Sequence, residues 1–329
     1  MTIRPRVGFL GVGWIGRHRM EAMLATGAVE AVGVADPSPA AADEALKLAP
    51  GAACVDDLQA LLALGLDGLV IATPSALHAE QAVAALERGV AVFCQKPLGR
   101  TAGETRRAVD AARAADRLLA VDLSYRFTEA ALAVRELVRS GELGRVSVAD
   151  LVFHNAYGPD KPWFRDPAQS GGGCLLDLGV HLVDLALWML DWPKATRTSA
   201  ALMAGGDFLR ERTDVVEDFA SVAFGVEGGA LVRLACSWNL PAGQDAVIGA
   251  SFYGDRGGAG FRNLDGSFYD FTAERYRGNS RETLTAPPDA WGGRAAADWA
   301  TRLAAGARFD PEAERLVEVA QVLDRLYGR

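Results

Sequence analysis

The stretch Val7-Gly8-Phe9-Leu10-Gly11-Val12-Gly13-Trp14-Ile15-Gly16 is a short apolar run that breaks into glycines and then into a helical pattern. Glycine at such a break lets the chain turn tightly and bring backbone N–H groups close to a ligand. A helix that opens at about Trp14 would direct unpaired N–H groups and the positive end of its dipole at an anion. The pattern predicts a pyrophosphate site; the alternative is an ordinary strand-to-helix turn. The candidate cofactor-binding residues in this stretch are Gly11, Gly13, Trp14, Ile15 and Gly16.

A second predicted strand ends at an acid. Residues 17–26 have the amphipathic pattern of a helix, Gly27 is typical of its end, and residues 30–35 have the pattern of a buried strand. Asp36 follows this strand at about the spacing from the glycines at which an acid accepts hydrogen bonds from the adenosine ribose. A carboxylate there repels a 2′-phosphate, and residues 37–46 contain no Arg or Lys. The sequence therefore favours NAD over NADP, although Asp36 could also be a turn residue before Pro37.

Composition limits the class of protein. The chain has 329 residues, half of them hydrophobic, a formal charge of −8 and a pI near 5.2. This size predicts two domains, and the acidic balance favours a small-molecule substrate over nucleic acid or an anionic membrane. The N-terminus runs directly into the first predicted strand, and we find no apolar run of about 18 residues, so a cytoplasmic protein is expected. The cysteines are widely spaced, which predicts reduced thiols and no metal site; they are Cys54, Cys94, Cys174 and Cys236.

The first part of the chain alternates short apolar runs with helical patterns, as in a doubly wound parallel sheet. Strands are predicted at 7–10, 31–35, 68–72, 90–94 and 118–121, and helices at 40–48, 58–64, 78–88 and 102–114. This α/β pattern predicts a Rossmann domain over residues 1–123. Ligands of such sheets bind beyond the carboxyl ends of the strands.

The remaining residues, 124–329, have an α+β pattern and are predicted to form a substrate-binding and oligomerisation domain. Strand-like runs and turn signals indicate a large, mainly antiparallel sheet; the strands are predicted at 146–153, 219–224, 230–237, 248–253 and 267–271. Helices are predicted at 127–139, at 174–190 after three glycines, and at 310–326 with Asp310 as the N-cap.

Lys96 directly follows a predicted buried strand and precedes Pro97. A lysine at this end of a parallel strand faces the ligand crevice, where it could bind a substrate oxygen and the nicotinamide ribose together. The alternative is a surface lysine in a loop.

Asp177 and His181 lie four residues apart on an otherwise apolar predicted helix, so their side chains share one face. Histidine titrates near neutrality and could take a proton from an alcohol as hydride leaves. An Asp–His hydrogen bond that stabilises the helix is an equal alternative. Trp163 and Arg165 lie in an aromatic and basic loop suited to stacking on a sugar ring, or to a simple surface turn.

These motifs together resemble the glucose-fructose oxidoreductase / inositol dehydrogenase / rhizopine-catabolism (Gfo/Idh/MocA) family. The matching segments are Gly11–Gly16 with Asp36, Thr73-Pro74-Ser75-Ala-Leu-His78, Gln95-Lys96-Pro97, Tyr125-Arg126-Phe127, and the glycine-led Asp177-x-x-x-His181. The resemblance implies that Thr73, Pro74, His78, Gln95 and Lys96 contact the cofactor and that Tyr125 and Arg126 lie at the substrate site.

The resemblance also implies catalytic roles and an assembly. Lys96 would touch cofactor and substrate, His181 would be the acid/base, and Asp177 would bind the reacting hydroxyl. The second domain would pack against another subunit in a homodimer or homotetramer. The family's usual Glu-Lys-Pro motif is Gln-Lys-Pro here, because Gln95 replaces the acid.

The predicted function is hydride transfer between NAD and a secondary alcohol or ketone carbon of a sugar, cyclitol or related polyol, with Lys96 and His181 converging on one substrate oxygen. Three alternatives stay open from the sequence: an NAD-retaining, redox-neutral glycoside hydrolase, an NADP-dependent dihydrodiol dehydrogenase or ketosugar reductase, and a noncatalytic dinucleotide sensor.

Overall fold

A computed structural model describes residues 4–209 and 214–329, which divide into two compact units. The first contains the chain up to Asp122 together with Gly293–Val317. The second contains Leu123–Gly292 and Glu318–Arg329. The chain thus leaves the first unit one residue before the predicted boundary, and a later segment returns to it. The functional division at residue 123 stays a prediction.

The first unit is built on a six-stranded parallel sheet in the order β3-β2-β1-β4-β5-β6. Strands β4 and β5 are buried at every residue, because helices cover both faces of a doubly wound sheet. The strands are β1 (Arg6–Leu10), β2 (Glu30–Ala35), β3 (Ala53–Cys54), β4 (Gly68–Ile71), β5 (Ala91–Cys94) and β6 (Leu119–Val121). The helices between them are α1 (Trp14–Ala25), α2 (Pro39–Leu46), α3 (Leu58–Leu62), α4 (Ser75–Leu86) and α5 (Ala102–Ala115).

The predicted Rossmann fold class is confirmed, and the start of α1 at Trp14 lies where the glycine pattern placed it. The sequence predicted five strands, whereas the sheet has six. The additional strand, β3, is two residues long, which is too short for an apolar periodicity to identify it.

The second unit contains a nine-stranded sheet in the order β15-β14-β13-β12-β7-β11-β10-β8-β9. All neighbouring strands are antiparallel except β7 and β11. The strands are β7 (Val146–Asn155), β8 (Ala195–Ala204), β9 (Asp207–Phe208), β10 (Phe219–Val226), β11 (Leu231–Ser237), β12 (Ala246–Gly254), β13 (Gly258–Asn263), β14 (Phe271–Arg277) and β15 (Ser280–Thr285). The predicted large, mainly antiparallel sheet is therefore confirmed.

Several strands of this sheet differ from the sequence prediction. The prediction of a strand at 267–271 is wrong, because Ser267 and Asp270 form a hydrogen-bonded turn and β14 begins only at Phe271. Strands β8, β9, β13 and β15 were not predicted. Strands β8 and β15 are largely exposed or half-buried and rich in Thr, Ser and charged residues, so they lack the apolar alternation that identifies a strand.

The helices of this unit are α6 (Glu129–Arg139), the short α7 (Pro167–Ser170) and α8 (Val180–Met189). The predicted helix at 174–190 is divided: Leu175–Gly179 forms a π-helical turn that leads into α8. Every residue of α8 is buried. The helical stretch Pro167–Met189 is long and apolar enough to cross a membrane, which corrects the expectation that no such run exists, but 94% of its most apolar window is buried inside the protein.

The last part of the chain adds two further helices, α9 (Arg294–Ala304) and α10 (Glu314–Tyr327). Helix α9, which was not predicted, packs fully buried Trp299 against Phe93 of β5, with ring centroids 5.9 Å apart. Asp310 is the predicted N-cap: its carboxylate accepts a hydrogen bond from the Glu312 N–H at 3.0 Å.

Candidate functional site

The glycine turn after β1 is tightly packed on the protein side and open on the other. Gly11 has φ +81°, and a Cβ atom there would lie 2.5 Å from the Ala72 carbonyl oxygen. A Cβ at Gly16 would lie 2.1 Å from the Gly11 carbonyl oxygen, so α1 can approach the turn only with glycine. A Cβ at Gly13 would meet nothing within 4 Å, and no described side chain caps α1. The first N–H groups of α1 therefore have no side-chain cap among the described residues, and a pyrophosphate is an acceptor that such groups can bind.

Asp36 is fixed beside this turn. One carboxylate oxygen accepts the Val12 N–H at 2.7 Å and the other accepts the Ser38 N–H at 2.8 Å. Each carboxylate oxygen can accept a second hydrogen bond. The acid at the end of β2 is thus oriented by backbone donors and keeps acceptor capacity for ribose hydroxyls.

Trp14 and Ile15 open α1. The Trp14 ring is 63% exposed and stacks on His18, with ring centroids 6.0 Å apart. Burial and the neighbouring Arg19 charge lower the pKa of His18, so Nδ1 of its neutral ring can accept the Arg19 Nη1–H at 2.7 Å.

His78 joins two turns at the carboxyl edge of the sheet. Its Nε2 lies 2.7 Å from the Thr73 carbonyl oxygen and its Nδ1 lies 2.7 Å from the Pro97 carbonyl oxygen. His78 is 1% exposed and lies in the first turn of α4, which begins directly after Pro74. The neutral ring has one N–H, so His78 donates to one of these carbonyl oxygens and packs between the Thr73–Pro74 turn and the turn that carries Lys96. Its predicted contact with the cofactor stays a prediction.

Gln95 belongs to a buried charged network. Its Nε2–H donates to Asp122 Oδ2 at 2.7 Å, and the Arg19 Nε–H donates to the same oxygen at 2.6 Å. An amide can donate to Asp122, whereas an ionised glutamate at position 95 would place a second negative charge beside it. An amide at position 95 therefore suits this network: the buried carboxylate beside it is Asp122, and Arg19 balances the charge of that carboxylate.

Lys96 is half-buried and lies one residue beyond this network. The Gln95 N–H donates to the Ile71 carbonyl oxygen at 2.8 Å, which extends the pairing of β5 with β4 to the residue before the lysine. The backbone of Lys96 is thereby anchored at the ligand-binding edge of the sheet.

In the second unit, Asp177 lies on the π-helical turn. Its Oδ2 accepts a hydrogen bond from the Trp238 indole N–H at 3.0 Å. Trp238 follows β11 and is 3% exposed. The sequence did not single out Trp238, because a tryptophan after an apolar strand has the pattern of an ordinary core residue.

His181 lies in the first turn of α8 among aromatic rings. Tyr125 packs edge-on against it at 4.9 Å between centroids, and Phe153 lies at 6.4 Å. Both His181 and Tyr125 are buried. The structure therefore brings two predicted site residues, Tyr125 and His181, together.

Arg126, which is predicted to lie at the substrate site, forms an ion pair within the second unit. Its guanidinium forms a two-point ion pair with buried Asp184 and lies over the Trp188 and Trp192 rings, at 5.8 and 5.1 Å. Burial raises the pKa of Asp184, and the Arg126 charge opposes that shift. Removal of Arg126 would leave a buried carboxylate unpaired, so the residue has a structural role. Its predicted place at the substrate site stays a prediction.

The aromatic loop contacts the same tryptophan that binds Asp177. Trp163 stacks on Phe164 at 3.8 Å, Phe164 meets Trp238 edge-on at 6.3 Å, and the Arg165 guanidinium lies 5.9 Å from the Trp238 ring. The predicted substrate loop is thus connected to Asp177 through Trp238. Residues 4–209 and 214–329 contain no group of three or more side chains placed to hold a metal ion.

Comparison with known proteins finds matches to two domain models and to named dehydrogenases. Residues 5–123 match the model of an oxidoreductase family with an NAD-binding Rossmann fold, and residues 131–259 match the GFO/IDH/MocA C-terminal domain. The chain is 30% identical over 300 residues to D-glucoside 3-dehydrogenase of Escherichia coli strain K12, covering 87% of this chain and 82% of the relative. It is 27% identical over 265 residues to inositol 2-dehydrogenase of Rhizobium meliloti strain 1021, covering 80% and 76%.

A solved structure is similar over the full chain. GenD2 from gentamicin A biosynthesis, determined in complex with NAD, has a TM-score of 0.82 and 25% sequence identity, and the match covers 100% of this chain and 95% of that one.

From the network around Gln95 we predict how the family's usual glutamate at this position would change the stability of the protein. Gln95→Glu should lower the free energy of unfolding at pH 7 by about 3 kcal/mol, because two buried carboxylates would then face each other. The double variant Gln95→Glu/Asp122→Asn should regain most of the loss, since donor and acceptor exchange places. Urea denaturation followed by circular dichroism measures both. Gln169→Glu, at an exposed position, is the control and should change stability by no more than about 0.5 kcal/mol. A Gln95→Glu protein as stable as wild type would contradict the assignment.

His78 predicts a pH dependence of stability. Burial lowers the pKa of this ring, and its contacts with Pro97 and Thr73 oppose the shift only partly. The unfolded chain therefore binds a proton more readily than the folded one, and stability falls as the pH drops below about 6.5. In His78→Gln the fall between pH 7 and pH 5 should be smaller, as measured by urea denaturation at pH 7, 6 and 5. If the free energy of unfolding fell equally with pH in the variant and in wild type, His78 would not contribute to the pH dependence of stability.

Proposed function

This chain belongs to the GFO/IDH/MocA family of oxidoreductases, and from that premise we propose that it transfers hydride between NAD and a secondary alcohol or ketone carbon of a sugar, cyclitol or related polyol. It is an oxidoreductase with an NAD-binding Rossmann unit and relatives that act on sugars and cyclitols. One observation supports the proposed reaction most directly. The Trp238 indole N–H fixes the Asp177 carboxylate, and Asp177 lies on the same helical segment as His181.

His181 is proposed as the acid/base. When the alcohol is oxidised, the carbon loses hydride and the hydroxyl loses a proton, and an imidazole can accept that proton at neutral pH. The bound cofactor supplies the hydride acceptor. The aromatic rings of Tyr125 and Phe153 exclude water from one side of the imidazole, which favours proton exchange with the substrate.

Asp177 and Lys96 are proposed to orient the reacting oxygen. The Trp238 N–H holds one carboxylate oxygen of Asp177. An ionised carboxylate can accept several hydrogen bonds, one of which a substrate hydroxyl would donate. The Lys96 ammonium would stabilise negative charge that develops on that oxygen. The aromatic loop of Trp163 and Phe164, with Arg165, would bind a face of the substrate ring, because C–H groups of a pyranose or cyclitol pack on aromatic rings.

The cofactor site fits the dinucleotide. The open N-terminus of α1 would hold the pyrophosphate, and Asp36 would accept hydrogen bonds from the adenosine ribose. We propose NAD as the preferred cofactor because Asp36 would repel a 2′-phosphate. The cytoplasm as location and a homodimer or homotetramer as assembly complete the proposal.

The acid/base assignment predicts a specific loss of activity. His181→Ala should lower kcat for oxidation by about 10²- to 10⁴-fold, the usual contribution of a positioned acid/base, and leave the Kd for NADH unchanged. NADH formation should be followed with methyl glucoside, myo-inositol and a wider panel of sugars and diols. His154→Ala is the control, since that ring is hydrogen-bonded to Ser237. An undiminished rate in His181→Ala removes the assignment; tightly retained NAD without net reduction would instead indicate a redox-neutral hydrolase.

Asp36 predicts the cofactor preference. Asp36→Ala should raise the Kd for NADH by about tenfold or more, as expected for the loss of hydrogen bonds to a charged group. The ratio of the Kd for NADPH to the Kd for NADH should become smaller. Fluorescence titration with both reduced cofactors measures this. Asp67→Ala is the control, because that carboxylate binds the Arg6 N–H at the amino edge of the sheet. Unchanged discrimination would show that Asp36 does not contact the ribose.

A further inference from the structure

Glu217 is a buried carboxylate that has no part in the predicted site. It precedes β10 and is 1% exposed. Both of its carboxylate oxygens lie 3.0 Å from the Gly173 nitrogen, and one of them accepts the Leu175 N–H at 2.9 Å. Its backbone carbonyl accepts the Cys174 N–H at 2.9 Å. One residue thus binds three consecutive N–H groups where the helical segment begins.

Tyr327 completes this arrangement from the end of α10. Its hydroxyl donates to Glu217 Oε1 at 2.7 Å. Burial raises the pKa of Glu217, whereas the hydrogen bonds from Tyr327, Leu175 and Gly173 oppose that shift. The carboxylate therefore depends on these donors for its place in the core.

Glu217 and Tyr327 approach the glycines before Asp177 so closely that a larger residue would not fit. A Cβ atom at Gly173 would lie 1.8 Å from the Glu217 carbonyl oxygen, and one at Gly172 would lie 2.3 Å from the Tyr327 hydroxyl. The glycine run is thus required by the close approach of Glu217 and Tyr327, both of which come from distant parts of the sequence.

The turn held by Glu217 is directly connected to Asp177. The Asp177 N–H donates to the Gly173 carbonyl oxygen at 3.0 Å, so the position of Gly173 sets the start of the π-helical turn. Trp238 holds the Asp177 carboxylate, and Glu217 holds the backbone from which that side chain extends.

We propose that Glu217 and Tyr327 are positioning residues for hydride transfer, which set the place of Asp177 and, one turn further, of His181. This inference rests on the proposed function. A displacement of about 1 Å in a reacting group can lower a rate by about 100-fold, so a small relaxation of this turn suffices to reduce kcat.

The test uses Tyr327→Phe and Glu217→Gln in the full chain. Tyr327→Phe removes one hydroxyl and keeps the ring, and Glu217→Gln leaves a single acceptor oxygen for three donors. Each should lower kcat by about 10- to 100-fold while the Kd for NADH stays within about twofold of wild type. Tyr276→Phe is the matched control, because it removes the hydroxyl bond to Ser251 on the sheet.

A second measurement needs no substrate. Hydrogen exchange of a peptide spanning residues 171–179, followed by mass spectrometry of the NADH-bound protein, should be faster in Tyr327→Phe and Glu217→Gln than in wild type or Tyr276→Phe. Faster exchange together with lower kcat is the expected result. If Glu217→Gln fails to fold, the more conservative Tyr327→Phe decides.

The outcomes separate the two proposals. If both variants match Tyr276→Phe in kcat and in exchange, the positioning role is overturned. Faster exchange with wild-type kcat also overturns it, because the pair would then be structural only. If His181→Ala and Asp177→Asn keep the wild-type rate, the proposed function fails, and the exchange measurement still reports whether Glu217 and Tyr327 hold the turn.

Discussion

The unpaired backbone N–H groups at the start of a helix are the constraint on which both halves of this molecule depend. Each such group needs an acceptor. At the start of α1 no described side chain caps the helix, and the space beyond Gly13 is open. At Gly173 the corresponding groups are bound by buried Glu217. One glycine turn is therefore suited to an anionic cofactor, while the other is held in place by an anion that the protein itself supplies.

Buried charge determines the surroundings of two of the predicted site residues. The Gln95 amide donates to Asp122, and the Arg19 guanidinium balances the charge of that carboxylate. Arg126 is bound by Asp184 at two points, so its charge is already paired within the second unit. In both cases a buried ionised group needs a partner of opposite charge or a hydrogen-bond donor, and that need decides which residues are compatible at the neighbouring position.

Aromatic side chains form the surroundings of the proposed acid/base pair. Tyr125 and Phe153 flank His181, and Trp238 both donates to Asp177 and contacts the loop of Phe164 and Arg165. Apolar surroundings have a low dielectric constant, which strengthens the hydrogen bonds and the interactions between charges within them. It also offers flat surfaces for the C–H faces of a sugar or cyclitol ring.

Local patterns in the sequence were sufficient for the Rossmann fold class, for the start of α1 and for the candidate residues Asp36, Lys96, Asp177 and His181. These features depend on glycine spacing, apolar periodicity and the positions of acids after strands, all of which are short-range. They also sufficed for the family, which the comparisons confirm.

Other features could not be predicted, because they depend on contacts between residues far apart in the chain. The return of Trp299 to the first sheet, the pairing of Gln95 with Asp122, the donation from Trp238 to Asp177 and the convergence of Glu217 and Tyr327 on Gly173 are all of this kind. Short-range patterns in the chain were enough to name candidate residues for the chemistry. Their hydrogen-bond partners could be read only from the folded protein, because a buried polar group takes its partner from whatever the fold brings within hydrogen-bond distance.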